Sequence, residues 1–427
     1  MGNLLSSLPK TIHASLALAI ILFLGLFYGN GGFDFDTIFW SWLTRFIHVT
    51  VAIMWIGLLW YFNFVQIPNM PKIPDEQKPA IGKVIAPAAL FYFRYAALLT
   101  VLSGLILAYL NGYLHDAMTL GGGGIGQVWG ATDRSEALAT VRLAADSGIN
   151  FFDMAPMYGG GEAESVMGQA FAEGLSKDVH LTTKYLLGDR PEDEIFTALS
   201  ASLDESFARM GRDYVDVFIL HGFVIADGWS EGRQAKILPR IAVPMSKYQN
   251  AVIPAFERLK ASGRIGAWGV TTASTQPENL AVVSATVRPD VVQCTANVLD
   301  SSGSLALIEE IPGPRQVIAN AQNAGTGVMG IRAVAAGSLT EAIDRDVHPK
   351  SAELKDFQRS AGFRELAKSN GVSAAYLAHL YALSMPGVDT LVLGVKNREE
   401  LTECLAAEAA GSMSADLIAA CDASVAS

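Results

Sequence analysis

The sequence predicts an α/β protein, a (β/α)8 TIM-type barrel preceded by about three transmembrane α-helices. Three observations point there. Long uncharged apolar runs crowd the chain before about residue 110, and composition changes abruptly at Gly121-Gly122-Gly123-Gly124. After that point short β-branched runs alternate with amphipathic helical stretches. Segregation reconciles a hydrophobic fraction of 51%, near the soluble average, with a mean hydropathy as high as +0.30.

The first apolar run, 13–28, follows Lys10 and ends at Gly29-Asn30-Gly31-Gly32. No A-x-A-like site follows it, so it reads as an uncleaved anchor rather than a signal peptide. The second, 38–67, carries only Arg45 and His48 as chargeable groups, and the third, 85–110, only Arg94. These two exceed the roughly 20 residues that a helix needs to cross a bilayer. Trp40, Trp42, Trp60 and Tyr61 lie near their ends or along them, as interfacial aromatics do. Buried core helices of a soluble protein are the plainer alternative, but three such runs within 110 residues argue against them. Helices are therefore expected at about 13–29, 38–65 and 85–110. A membrane segment, 1–117, would contact the lipid bilayer, and a barrel, 118–427, would follow it.

Strands are expected at 123–128, 150–154, 179–184, 214–221, 266–271, 291–295, 328–332 and 390–395. Helical patterns lie between them, for example at 135–147, 191–210, 251–262 and 373–384. Pro191 suits a first helical turn, and Gly148 and Gly263 stand just past helix ends. Eight strands alternating with helices over about 300 residues suit a barrel. A doubly wound open sheet would show a G-x-G-x-x-G turn into its first helix. The run Gly122-Gly123-Gly124-Ile125-Gly126 lacks that spacing, and taken alone it signals a linker or a tight strand.

Bulk charge narrows the function classes. A net charge of −11 with no Lys/Arg block leaves nucleic-acid binding without support. Cys294, Cys404 and Cys421 are scattered, without CxxC or a histidine at ligand spacing, so free thiols and no metal site are expected.

Catalytic residues of a barrel come from the C-terminal ends of its strands. Four polar residues fall there: Asp153, Tyr158 in the loop five residues on, Lys184 and His221. Each alone has an ordinary explanation, as a turn cap, a packed loop aromatic, a solvated lysine or a core histidine. Their convergence on one mouth makes a mechanism. Hydride reduction of a carbonyl needs a proton donor for the developing alkoxide, and a phenol serves if its pKa is lowered. An ammonium favours the phenolate, and a carboxylate beside that ammonium holds it charged. Tyr158 is then the acid, Lys184 its tuner, Asp153 the lysine's anchor and His221 the donor that orients the carbonyl.

With the segments Gly148-Ile149-Asn150-Phe151-Phe152-Asp153, Met157-Tyr158-Gly159 and Tyr214-Val215-Asp216-Val217-Phe218-Ile219-Leu220-His221, residues 120–424 resemble the aldo-keto reductases. Gly263-Arg264-Ile265-Gly266-Ala267-Trp268-Gly269-Val270 and Leu393-Gly394-Val395-Lys396-Asn397 add to the resemblance, which runs toward the bacterial D-threo-aldose (fucose) dehydrogenase branch. It implies an NADP or NAD cofactor and a small-molecule carbonyl or sugar substrate. The four catalytic roles carry over without substitution. Of the implied cofactor contacts, Thr271-Thr272 replace the family's Ser-Asn, and Gln293 matches its glutamine. Ile331, with Arg332 beside it, replaces the aromatic that stacks on nicotinamide. In the phosphate segment Gly394, Lys396 and Asn397 fit, whereas Glu400 and Cys404 stand where the family often has Arg or Gln, and Asn. A carboxylate there would disfavour a 2′-phosphate, leaving NAD and NADP both open. Trp129, Met157, Phe223 and Trp229 are expected to flank the substrate mouth, with loop packing as their ordinary alternative. The family's N-terminal β-hairpin, which plugs the barrel bottom, is missing.

Within the membrane segment, Leu43-Thr44-Arg45-Phe46-Ile47-His48 and Trp55-Ile56-Gly57-Leu58-Leu59-Trp60-Tyr61-Phe62-Asn63-Phe64-Val65-Gln66 resemble the membrane domain of PuuD-type urate hydroxylases over residues 38–122. That family's remaining membrane helices and CxxCH haem site do not follow, so plain anchoring is expected. The junction looks like a fusion. The positive-inside rule places the loop with Lys72, Lys78 and Lys83 in the cytoplasm. With three spans that puts the barrel outside, whereas nicotinamide chemistry favours a barrel facing the cytoplasm from a bacterial inner membrane. The expected activity is hydride transfer. Its rivals are a non-catalytic nicotinamide-sensing module on a membrane anchor and a remnant of a urate-oxidising membrane protein.

Overall fold

A computed structural model describes residues 37–110 and 117–425, apart from 129, 131, 230–235, 273–276, 307–312 and 344. The apolar run expected as a helix at 13–29 lies outside the described residues, as does Trp129. The chain divides into two compact units, Met1–Tyr113 and Leu114–Ser427.

In the first unit the helix Thr37–Trp60 runs on through a π-helical turn, Tyr61–Gln66, to Lys72. The chain returns through Lys78–Ala80, a second π-helical turn at Ile81–Ile85, and the helix Ala86–Leu110. Each π-turn ends two residues before a proline, Pro68 or Pro87. Proline has no N–H and its ring crowds the carbonyl four residues back, so the ladder opens there and takes a wider turn. The two long helices meet across small residues: Ala96, Thr100 and Ser103 are buried. His48 reaches across to the Thr100 carbonyl at 3.0 Å and the Ser103 hydroxyl at 3.1 Å. At Gly104 a β-carbon would stand 3.1 Å from the His48 ring, so glycine lets the helices approach. Large apolar side chains such as Phe46, Ile53 and Phe64 face outward. Two helical stretches, Trp42–Lys72 and Lys78–Gly104, are long and apolar enough to cross a membrane.

The second unit is a closed parallel barrel. Its chain-order strands are β1 (Ala117–Gly121), β2 (Phe151–Asp153), β3 (His180–Tyr185), β4 (Val215–Leu220), β5 (Phe223–Ile225), β6 (Ala242–Pro244), β7 (Ile265–Thr271), β8 (Val291–Thr295), β9 (Gly327–Ile331) and β10 (Thr390–Leu393). The barrel runs β1-β2-β3-β4-β7-β8-β9-β10 and closes by pairing β10 with β1, while β5 and β6 form a separate ribbon. A Thr119–Thr390 hydroxyl contact of 2.8 Å lies on that closing seam. Val217, Ile219 and Met329 fill part of the barrel interior. The larger apolar core joins strands to helices, with Leu120, Phe152, Trp268 and Phe256 fully buried.

The other seven barrel strands fall where β-branched runs and turn residues predict them, within one or two residues, whereas β5 and β6 lie where no strand is expected. The first barrel strand is displaced. β1 lies upstream of 123–128, and Gly122–Ile125 forms one buried helical turn instead. The reason is close approach. A β-carbon on Gly124 would sit 1.8 Å from the Val395 carbonyl oxygen, and one on Gly126 would sit 2.9 Å from the Tyr158 backbone. The glycine run is thus neither linker nor strand but a seat against which two mouth segments pack. Helices Arg134–Asp146, Glu192–Met210 and Ala374–Leu383 match their patterns, the first capped by Asp133 and the last by Ser373. Pro191 stands at the N-cap of its helix rather than inside the first turn. The pattern at 251–262 becomes a third π-turn, Tyr248–Val252, and the helix Ile253–Ala261, again just ahead of a proline, Pro254.

Candidate active site

Asp153 ends β2 and pairs in register with Thr182 of β3, so alternation places Lys184 on the same face as Thr182. The Lys184 ammonium is completely buried. It stands 2.6 Å from Oδ2 of Asp153, which is 2% exposed, and donates to the Met154 carbonyl at 2.9 Å. The same ammonium lies 4.8 Å from the centroid of the Tyr158 ring. Tyr158 opens the turn Tyr158–Gly160, and its ring meets His221 edge-on at 5.8 Å. His221 follows β4 directly, its backbone N–H donating to the Tyr185 carbonyl at 2.8 Å. The four side chains that the sequence singles out therefore do meet at one end of the barrel.

Their electrostatics differ from the expectation at one point. Burial opposes the charge on Lys184, but Asp153 and Tyr158 outweigh it and raise its pKa, so the lysine is held as an ammonium. Burial also raises the Tyr158 phenol. Lys184 pulls it down and Asp153 pushes it up, and the net direction is upward. The ammonium restrains the phenol's pKa without bringing it below its ordinary value, because burying the phenolate costs more than one paired lysine returns. The His221 imidazole is pushed down to about 3 by burial and by the Lys184 charge. It is neutral through the ordinary working range and keeps one N–H to donate.

The second oxygen of Asp153 is also engaged. Thr182 donates its hydroxyl to Oδ1, and the Gln293 side-chain amide donates to the same atom at 2.9 Å. Thr182 escaped the sequence reading. Its place two residues before Lys184 on one strand face is the signal that could have found it.

The residues expected at the cofactor divide into two groups. Thr271 closes β7 in register with Gln293, and its buried hydroxyl oxygen has no hydrogen-bond partner among the described residues. Thr272 turns its backbone N–H (2.8 Å) and its hydroxyl (3.2 Å) to the Gln293 carbonyl. Ser302, in the segment following β8, also carries a buried hydroxyl with no partner among the described residues. These two hydroxyls, at the end of β7 and after β8, are the kind of group that an amide or a sugar hydroxyl of a bound cofactor could pair with. The second group is engaged within the protein. Arg332, at φ 60° after β9, donates to the Ser302 carbonyl at 3.1 Å. Gly394 is exposed just past β10. Glu400 accepts the Lys396 backbone N–H at 2.8 Å and pairs with its ammonium at 3.1 Å. Asn397 caps the helix Arg398–Ala409 by accepting the Glu400 N–H at 2.9 Å.

Of the residues expected at the substrate mouth, Met157 is 50% exposed beside Tyr158. Phe223 is buried in β5 and packs with Ile225, Leu238 and Ala242, against which Trp229 also rests. Among the described residues no group of three His, Cys, Asp or Glu side chains could hold a metal ion, and the three cysteines are free and buried.

Comparison with known proteins agrees with the barrel fold. The aldo/keto reductase family profile matches residues 117–426. An L-galactose dehydrogenase of Arabidopsis thaliana is 28% identical over 301 residues, covering 68% of this chain and 84% of that protein. A D-threo-aldose 1-dehydrogenase of a Pseudomonas species is 24% identical over 315 residues, 67% of this chain and 87% of its own. In fold the chain resembles the holo form of aldo-keto reductase AKR11C1 from Bacillus halodurans. That match has a TM-score of 0.54 at 20% identity and covers 72% of this chain and 92% of that one.

Proposed function

This chain belongs to the aldo/keto reductase family, and from that premise we propose that Tyr158, Lys184, Asp153 and His221 carry its NAD(P)-dependent oxidoreductase chemistry. The nicotinamide, when bound, supplies or accepts the hydride. The neutral His221 donates its N–H to the substrate carbonyl oxygen, orienting and polarising it. Tyr158 gives its hydroxyl proton to that oxygen as the carbonyl carbon receives hydride, leaving a phenolate beside Lys184. Solvent returns the proton. In the reverse direction the phenolate removes the alcohol proton. A phenol raised by burial is protonated at neutral pH, which suits reduction, and alcohol oxidation gains as pH rises. The single observation that carries this assignment is the completely buried Lys184 ammonium set between Asp153 and the Tyr158 ring.

The substrate belongs among small aldehydes, ketones and aldoses, a reading supported by relatives named as L-galactose and D-threo-aldose dehydrogenases. Thr271, Thr272, Gln293 and Arg332 would lie at the nicotinamide half of the cofactor, and Gly394, Lys396, Asn397 and Glu400 at its phosphate half. Because Glu400 already neutralises Lys396, NAD is favoured over NADP. The helical hairpin of the first unit would insert in a bilayer, with the barrel on the cytoplasmic side. Its outward apolar side chains and the two stretches long enough to span support the insertion.

Nicotinamide absorbance during turnover tests the assignment. The full chain in detergent is given a panel of aldehydes and aldoses, NADH and NADPH in parallel, and Tyr158→Phe as control. Cofactor-dependent turnover should fall by about 100-fold or more in Tyr158→Phe. Undiminished turnover in that variant rejects the proposed roles, and tight dinucleotide binding without turnover moves the assignment to a sensing module.

A further inference from the structure

We propose that Gln293 is a positioning residue for Asp153, and that with Thr182 it forms a clamp through which the opposite wall of the barrel sets the proton affinity of Tyr158. The inference rests on the catalytic assignment above and deepens it.

β2 and β8 face each other across the barrel, separated by three strands on either side in the order β1-β2-β3-β4-β7-β8-β9-β10. Gln293, 2% exposed, spans that interior so that its Nε2 lies 2.9 Å from Oδ1 of Asp153, 140 residues away in sequence. The hydroxyl of Thr182, also fully buried, meets the same oxygen from the adjacent strand. Lys184 takes Oδ2. The Asp153 carboxylate is thus gripped by three donors from two sides, with none of its contacts left to solvent.

A carboxylate in a dry interior stays where its hydrogen bonds hold it, and charge-assisted bonds are stronger than neutral ones. Lys184 shares a single ammonium among Asp153, the Met154 carbonyl and the Tyr158 phenol. Any movement of Asp153 therefore shifts the balance that Lys184 offers Tyr158. The two neutral donors also disperse the carboxylate's charge, which on its own raises the phenol's pKa. Removing one of them leaves a more strongly anionic neighbour and a less favoured phenolate.

Two measurements on the full-length protein separate this role from cofactor contact or mere packing. The first is the ultraviolet difference titration of the Tyr158 phenol, isolated by subtracting the Tyr158→Phe spectrum. The second is nucleotide affinity from fluorescence quenching by NAD and NADP. Gln293→Leu and Thr182→Val should each move the Tyr158 titration upward by about 0.5 unit or more, and Thr182→Ser should restore it. Alcohol oxidation should lose kcat by about 10-fold with its alkaline rise displaced the same way, while nucleotide Kd changes little in Thr182→Val. An unmoved titration in both variants overturns the proposal, as does a loss confined to nucleotide affinity in Gln293→Leu. If the titration moves but the wild-type protein turns over no substrate, the clamp stands and the oxidoreductase assignment fails.

Discussion

The barrel holds two lysine–carboxylate pairs at its C-terminal end that look alike on paper and behave as opposites. Lys184 and Asp153 lie 2.6 Å apart at 0% and 2% side-chain exposure; Lys396 and Glu400 lie 3.1 Å apart at 19% and 37%. In the first, water is excluded, so each charge depends on the other, the carboxylate on further donors from Thr182 and Gln293 and the ammonium on the Met154 carbonyl that accepts from it. In the second, solvent can replace either partner, and such a pair contributes only about 0.2–1 kcal/mol. Burial, not separation, decides which pair is fixed machinery and which can yield to a ligand.

Breaking the buried pair should produce the largest effect. Lys184→Met strands the Asp153 carboxylate in the interior, at a cost of about 3–5 kcal/mol, and removes the charge that steadies the Tyr158 phenolate. Denaturant unfolding of the barrel should show that loss, and hydride transfer should fall by about 1,000-fold. The double variant Asp153→Leu, Lys184→Met should recover most of the stability and none of the activity. A single variant as stable as the wild type would mean that the two charges are not coupled in the way their geometry implies.

The exposed pair should respond through specificity rather than through folding. Glu400→Gln removes the carboxylate paired with the Lys396 ammonium and takes one negative charge from the site. The ratio of kcat/KM with NADPH to that with NADH should rise by about 5-fold. An unchanged ratio would place the adenosine end of the cofactor away from this helix.

The same contrast explains what could be read in the sequence. Strand periodicity exposed most of the barrel because β-branched runs such as 291–295 are bounded by turn residues. The four side chains of the proposed site were legible because strand ends are countable. β1 was misplaced because a glycine run has no side-chain pattern of its own. Its meaning lies in what approaches it, the Val395 carbonyl and the Tyr158 backbone, and both are distant in sequence. That the Gln293 amide reaches Asp153 on β2 across the barrel was not legible, because no local signal reports it. The upward pKa of Tyr158 was missed for a related reason, since burial is a property of the whole fold. Phe223 and Trp229, expected at the mouth, pack with the β5–β6 ribbon, a contact between residues too far apart in sequence for local pattern to report.

The smallest effect sharpens the comparison at the exposed end. Asn397 occupies a position that a nucleotide phosphate could use, yet its side chain already accepts the Glu400 N–H as a helix cap. An N-cap asparagine replaced by alanine costs about 1 kcal/mol, and Asn397→Ala should lower the unfolding midpoint of the barrel accordingly. Asn397→Asp keeps the cap and should preserve the midpoint, while its added negative charge should weaken nucleotide binding further if phosphate lies nearby. A midpoint unmoved in Asn397→Ala, with nucleotide affinity reduced, would show the amide working on the ligand and not on the helix. The Lys396–Glu400 end would then be a preformed phosphate seat, and its internal pairing a resting arrangement that the cofactor displaces.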